Sequence, residues 1–141
     1  MAKGSLLIVD DDAPILESMA EYLREQKYCV EVARDYEQAV DRLANIPFAV
    51  VIADVCLEDK DGLDLLRYVR ENHTEAETIL ITGYGSIENA VEAIRLGAFD
   101  YLTKPLLGDE LLLSIRRALS QRELVVENQS LKDQLDMRFG L

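Results

Sequence analysis

Short apolar runs rich in β-branched residues alternate along this chain with longer stretches in which apolar positions recur every three or four residues. The runs are LLIVD at 6–10, CVEVA at 29–33, FAVVIAD at 48–54, TILIT at 78–82 and DYLT at 100–103. Between them lie ILESMAEYLREQ at 15–26, YEQAVDRLAN at 36–45, LDLLRYVREN at 63–72 and IENAVEAIRLG at 87–97. Short continuous runs suit buried strands and the three-to-four spacing suits amphipathic helices, so the pattern predicts strand and helix in strict alternation. The punctuation agrees: Asp12 with Pro14 can cap the first helix, Asp35 with Gln38 forms a capping-box pattern, and Gly97 can stop the fourth helix. Five such repeats predict an α/β domain whose parallel sheet is covered on both faces. The first and third runs are the most continuously apolar, which suits central strands.

In an open parallel sheet, ligands sit outside the carboxyl ends of the strands. The polar residues at those ends are therefore the candidates for chemistry. The first run ends in Asp10, Asp11 and Asp12, the third in Asp54 and the fourth in Thr82, and the fifth is followed by Lys104 and Pro105. Two unit charges ~4 Å apart at an effective dielectric of about 20 repel by roughly 4 kcal/mol, so adjoining carboxylates need a compensating cation, helix N-terminus or lysine. Asp12 is assigned to the cap of the first helix, which accounts for one of the three. Singly, Asp54 reads as a turn residue, Lys104 as a surface lysine, and Asp10 and Asp11 as a solvated strand end. Placed at successive strand ends, they suggest phosphate chemistry with Mg²⁺, which takes oxygen ligands and binds through one or two carboxylates. Asp11 is expected to hold the metal directly and Asp10 through water. Asp54 is then the nucleophile that accepts a phosphoryl group, Lys104 neutralises it, and Thr82 offers it a hydroxyl.

Composition narrows the alternatives. The 141 residues are 49% hydrophobic and 30% charged, as expected of one globular domain. The formal charge of -12, with no clustered Lys and Arg, argues against direct nucleic-acid contact by this segment. No apolar stretch approaches membrane-spanning length, and MAKGSLLIVDDD lacks the form of a signal peptide, so a cytoplasmic location and no membrane contact are expected. Cys29 and Cys56 have no metal or redox spacing and are expected to be reduced and partly buried. His73, the single histidine, sits in ENHTEAE and is expected to be a solvated loop residue.

These residues resemble the receiver domains of two-component response regulators. IVDDD, the VVIAD ending in Asp54, the Asp61-Gly62 pair, the LITG around Thr82, and FDYLTKP with Tyr101 and Lys104 match that family in order and spacing, over about residues 4–120. The resemblance implies a flavodoxin-like doubly wound five-stranded parallel sheet of order 2-1-3-4-5. It implies phosphorylation of Asp54 by a partner histidine kinase with Mg²⁺ bound, and no enzymatic role beyond self-catalysed phosphotransfer and autodephosphorylation. Asp10 and Asp11 match the acidic pair, and Cys56 the position whose backbone carbonyl joins the metal shell alongside Asp54. Thr82 and Tyr101 match the switch pair, the Tyr101 ring turning in from solvent, while Lys104 matches the phosphate-contacting lysine. Gly83 lends backbone freedom to the switching face, expected over residues 84–118. One departure stands out: Leu57 and Glu58 occupy the places where the family usually has Met-Pro. Losing the proline should loosen the loop, and Glu58 adds negative charge near the acceptor.

The last segment has no Gly or Pro between Asp109 and Gly140, and a helix of about 30 residues would reach ~45 Å. Leu112, Ile115 and Leu119 suit the sheet, whereas Leu124, Asn128, Leu131 and Leu135 have the spacing of a coiled-coil seam. The expected organisation is a receiver over 1–119 and a helical linker over 120–141 that makes a homodimer. Receiver and linker together resemble those of nitrogen-regulator-type, sigma-54-dependent transcription activators, and the end at RFGL is read as a cut before an output domain. Two other functions share part of this residue set. A haloacid-dehalogenase-type phosphohydrolase would use Asp10 and Asp12, but Pro14 breaks its pattern, Asp109 and Glu110 open a helix, and Asp54 is left unexplained. An unphosphorylated pseudo-receiver acting as a dimerising module is favoured only by Glu58.

Overall fold

The computed structural model describes residues 4–57, 60–73, 75–83, 87–104 and 108–121. Strands β1 (Ser5–Val9), β2 (Cys29–Ala33), β3 (Val50–Asp54), β4 (Glu77–Thr82) and β5 (Asp100–Thr103) alternate with helices α1 (Ala13–Glu25), α2 (Tyr36–Asn45), α3 (Gly62–Asn72) and α4 (Ile87–Arg95). Residues 108–121 form a further helix, α5. The expected seam residues Leu124, Asn128, Leu131 and Leu135, and Glu58 in the loop after β3, lie outside the described residues.

All strand pairs are parallel, in the order β2-β1-β3-β4-β5. This is the expected doubly wound sheet, with β1 and β3 inside it. Side chains alternate across a strand, so each interior strand supplies two cores. Leu6, Ile8, Val50, Ile52, Ile79 and Ile81 face α1 and α5, meeting Leu16, Leu23, Leu111 and Ile115. Leu7, Val9, Val51, Ala53 and Leu80 face the other way, against Leu43, Leu65, Leu66, Val69 and Ala93 of α2, α3 and α4. The apolar runs are continuous because both faces are covered. At the edge strand β2, the Arg24 guanidinium donates to the Val30 carbonyl at 2.8 Å, occupying an acceptor that could otherwise pair with another strand.

The helix ends follow the sequence signals with small shifts. Asp12 accepts from the Ile15 amide at 3.2 Å and Asp35 from the Gln38 amide at 2.8 Å. The Gln38 side chain reaches back to the Arg34 amide at 3.0 Å, one residue earlier than a capping box places it. Gly97, with φ +105°, turns the chain out of α4, and a β-carbon there would meet the Arg70 side chain at 2.7 Å. The end of α1 had no such signal: Lys27, without being glycine, takes φ 75°.

Two local expectations are corrected. Cys29 and Cys56 are exposed, because one begins an edge strand and the other lies in the loop beyond β3. His73 is half-buried, because α3 runs to Asn72 and leaves the imidazole 5.4 Å from the Tyr68 ring. Tyr101, of the expected switch pair, packs against the second core with its hydroxyl buried.

In β4, the Thr78 hydroxyl is buried with no hydrogen-bond partner among the described residues. An unsatisfied buried hydroxyl costs about 1–3 kcal/mol, and valine keeps the shape without the polar atom. Thr78→Val is expected to raise stability by about 1 kcal/mol in urea denaturation, with an unchanged m-value.

Candidate functional site

The carboxyl ends of β1, β3, β4 and β5 bring the predicted residues to one rim. Asp10 follows β1 and is 3% exposed; Asp54 ends β3 and is 7% exposed; Thr82 ends β4 and is 2% exposed. Lys104 follows β5, and its backbone amide donates to the Thr82 carbonyl at 2.8 Å, which ties the two strand ends together.

From there the Lys104 ammonium reaches both carboxylates, donating to Asp54 Oδ2 at 2.6 Å and to Asp10 Oδ2 at 3.4 Å. The other oxygens are also engaged: Asp54 Oδ1 accepts from the Cys56 amide at 2.8 Å and Asp10 Oδ1 from the Asp12 amide at 2.9 Å. Asp10, Asp11 and Asp54 each offer a carboxylate oxygen, all within 4.8 Å of one another. The three consecutive aspartates thus divide their tasks. Asp12 caps α1, Asp10 and Asp54 hold the lysine, and Asp11 completes the carboxylate cluster.

One ammonium does not neutralise three carboxylates. Burial pushes the Asp10 carboxyl up, the Asp12 amide and Lys104 pull it back, and the Asp54 charge raises it again, leaving it above its ordinary value. Burial by itself lowers Lys104, but its hydrogen bond to Asp54 and the charges of Asp10 and Asp54 outweigh that, leaving it raised. Such a set of close, under-compensated oxygen donors fits a hard divalent cation such as Mg²⁺.

The backbone at the end of β3 is held from behind by α3. Gly62 donates to the Val55 carbonyl at 2.8 Å, and a β-carbon at Gly62 would lie 2.6 Å from the Asp54 carbonyl oxygen. Only glycine permits that approach. Asp61 and Asp64 form a reciprocal capping box that fixes the same helix end. Sequence reading found the Asp61-Gly62 pair by resemblance but missed this contact, which involves residues eight apart whose approach depends on the fold.

Around Thr82, Gly83 is exposed and a β-carbon there would meet nothing within 4 Å. Tyr101 pairs with Leu80 in the sheet, and its buried hydroxyl has no partner among the described residues. Asp100 beside it accepts from the Ser114 hydroxyl at 2.7 Å, linking β5 to α5. Asp109 and Glu110, the acids a phosphohydrolase would need on a strand, lie exposed in α5.

The response regulator receiver domain model matches residues 6–116 of this chain. The C4-dicarboxylate transport transcriptional regulatory protein DctD of Pseudomonas aeruginosa is 36% identical over 99% of this chain and 30% of its own length. The crystal structure of NtrX from Brucella abortus in complex with ADP superposes with TM-score 0.86 at 34% identity, over 93% of this chain and 30% of that one. The beryllofluoride-activated NtrC4 receiver domain dimer gives TM-score 0.80 at 33% identity, over 84% of this chain and 98% of that one. The chain spans about a third of the length of the first curated relatives it matches.

Two predictions test the electrostatics. Because Lys104 is raised in the folded state, the stability it contributes is fully present below the ordinary lysine value of about 10.4 and is lost as pH climbs through the higher folded value. Lys104→Met leaves two buried carboxylates facing each other, and is expected to cost roughly 1–3 kcal/mol at pH 7 and to remove that alkaline loss, as read by thermal melts against pH. Asp10 is raised too, so the folded state holds its proton more tightly than the unfolded value of ~3.9 would, and ionising it costs stability as pH rises through the folded value. At pH 7 that cost is present, so Asp10→Asn is expected to stabilise the protein by about 1 kcal/mol in thermal melts without added metal.

Proposed function

This chain belongs to the response regulator receiver domain family, and on that premise we propose that it is a Mg²⁺-dependent phosphoryl acceptor, with Asp54 the residue phosphorylated by a histidine kinase. The observation that carries the reading is the Lys104 ammonium 2.6 Å from Asp54, beside the clustered oxygens of Asp10 and Asp11. An acceptor carboxylate needs a neighbour that can neutralise the incoming charge, and this one already has it.

In the reaction, an Asp54 oxygen attacks the phosphorus of a phosphohistidine. The P–O bond forms as the P–N bond breaks, and the ring, protonated on its other nitrogen, leaves as neutral imidazole. The Cys56 amide, which donates to Asp54 Oδ1, orients the carboxylate. The Lys104 ammonium shifts from the carboxylate to a phosphoryl oxygen, and the Thr82 hydroxyl donates to another. Asp10, Asp11, Asp54 and the backbone carbonyl of Cys56 would hold Mg²⁺, which, when bound, supplies further positive charge to the transferring group.

A phosphoryl group adds about -1.5 to -2 charges, and a signal requires a second arrangement of the fold that favours them. The face of α4, β5 and α5 is the proposed responder. Tyr101 and Thr82 belong to neighbouring strands, Gly83 follows Thr82, and Val91, Ile94 and Leu113 place exposed apolar side chains on α4 and α5. The receiver is assigned to 1–119 and a dimerising linker to 120–141, with Leu124, Asn128, Leu131 and Leu135 at its seam. The similarity to the NtrC4 receiver domain dimer supports self-association. The output is proposed to be transcriptional, on the likeness to DctD.

Mass spectrometry after incubation with acetyl phosphate and Mg²⁺ tests the assignment. One hydroxylamine-labile phosphoryl group is expected on the peptide containing Asp54, absent without Mg²⁺ and absent in Asp54→Ala. No adduct in the wild type would leave a dimerising module without phosphorylation; turnover abolished only by Asp10→Ala would identify a phosphohydrolase.

A further inference from the structure

The departure from Met-Pro after the acceptor leaves a question that the reaction itself does not answer. Proline stiffens a loop through its own ring. Here that restraint is missing, yet the backbone on both sides of Asp54 must hold the Cys56 amide on the carboxylate. The contacts at Leu57 and Lys60 suggest what replaces it.

Leu57 packs against the second core, anchoring the near side of the loop. On the far side, the Lys60 ammonium stands 4.6 Å from the centroid of the Tyr36 ring. That ring is the first residue of α2, directly after the Asp35 cap, and is partly buried against the same core. It also meets Tyr68 of α3 edge-on, with centroids 6.4 Å apart and planes at 74°. Tyr36 is thus held from three sides and offers a fixed face. A cation over such a face is attracted by the negative charge of the π-system.

From Lys60 the path to the acceptor is short. The next residue, Asp61, caps α3, and the one after, Gly62, donates to the Val55 carbonyl and abuts the Asp54 backbone. We propose that Lys60 is a positioning residue for the Asp54 site: its stacking on Tyr36 supplies, through tertiary structure, the loop restraint that proline would supply locally. The proposal rests on the reading of Asp54 with Asp10 and Asp11 as a Mg²⁺ site. Lys60 touches neither the metal nor the phosphoryl group. It acts by holding Asp61 and Gly62, and through them Val55 and Cys56.

The test is a double-mutant cycle read by Mg²⁺ titration calorimetry and by the rate of phosphorylation from acetyl phosphate at subsaturating Mg²⁺. Both are measured well below the melting temperature of each variant. Lys60→Gln keeps much of the stem without the charge, and Tyr36→Leu removes the ring. Each is expected to raise the Mg²⁺ Kd and slow phosphorylation by about two- to fivefold, and the double variant to be no worse than the singles. Lys60→Arg and Tyr36→Phe keep the cation and the ring face and are expected to stay within about twofold of wild type. Additive losses, an Arg variant as weak as the Gln variant, or a Kd that does not move would each overturn the proposal. Wild type that binds no Mg²⁺ would instead overturn the site reading, and this proposal with it. Loss of stability without a change in Kd would show Lys60 to be merely structural.

Discussion

The ion pair between Lys104 and the two buried carboxylates, Asp54 and Asp10, is the contact on which the rim of this sheet depends. A parallel sheet aims all its strand ends the same way, so residues far apart in the chain are delivered to one place. Here that geometry gathers three like charges, and the compensating ammonium lies 94 residues from Asp10 and 50 from Asp54. Its own backbone is bound to the end of β4, so the cation is carried by the framework and not by a free loop. Burial, and after it the neighbouring Asp54 charge, still keep the Asp10 carboxyl above its ordinary value. For stability alone, replacing one of these aspartates would be favourable, so the cluster carries a stability cost at the rim.

Everything else near the rim serves to hold backbone in place. Asp54 lies between a strand that cannot shift within a five-stranded sheet and the N-terminus of α3 pressed against its carbonyl. Gly62 permits the pressing and the Asp61–Asp64 capping box stops the helix from unwinding there. The carboxylate at the end of β3 is thereby fixed in place, the kind of rigidity that electrostatic preorganisation requires. The opposite flank is less completely satisfied. Tyr101 carries a buried hydroxyl without a partner among the described residues, and its neighbour Asp100 is bonded to Ser114 on α5. An unsatisfied group beside a strand that grips a peripheral helix is where a small change of charge at the rim gains most by rearrangement.

The fold was legible because burial on both faces leaves a strong trace. All five strands and four of the helices were found where continuous apolar runs or helical periodicity placed them, with ends shifted by one or two residues. Asp12 and Gly97 marked helix ends by known local chemistry. The end of α1 was less clear, because Lys27 adopts the left-handed conformation that glycine usually marks. Burial of single residues was less legible still. Cys29 begins a strand that turned out to lie at the edge, and His73 was drawn against Tyr68 by a helix whose length set its direction.

By itself the sequence determined the alternation of strands and helices, the parallel sheet, and the polar residues that must meet at its carboxyl edge, because each depends on local periodicity or on a strand's last residue. Tertiary structure decided the rest: which oxygens of Asp10 and Asp54 Lys104 reaches, that Gly62 presses on the Asp54 backbone, and that Lys60 finds the ring of Tyr36. Those contacts, from 2.6 Å for Lys104 on Asp54 to 4.6 Å for Lys60 over Tyr36, join residues from different elements, and no spacing along a chain encodes a distance across it.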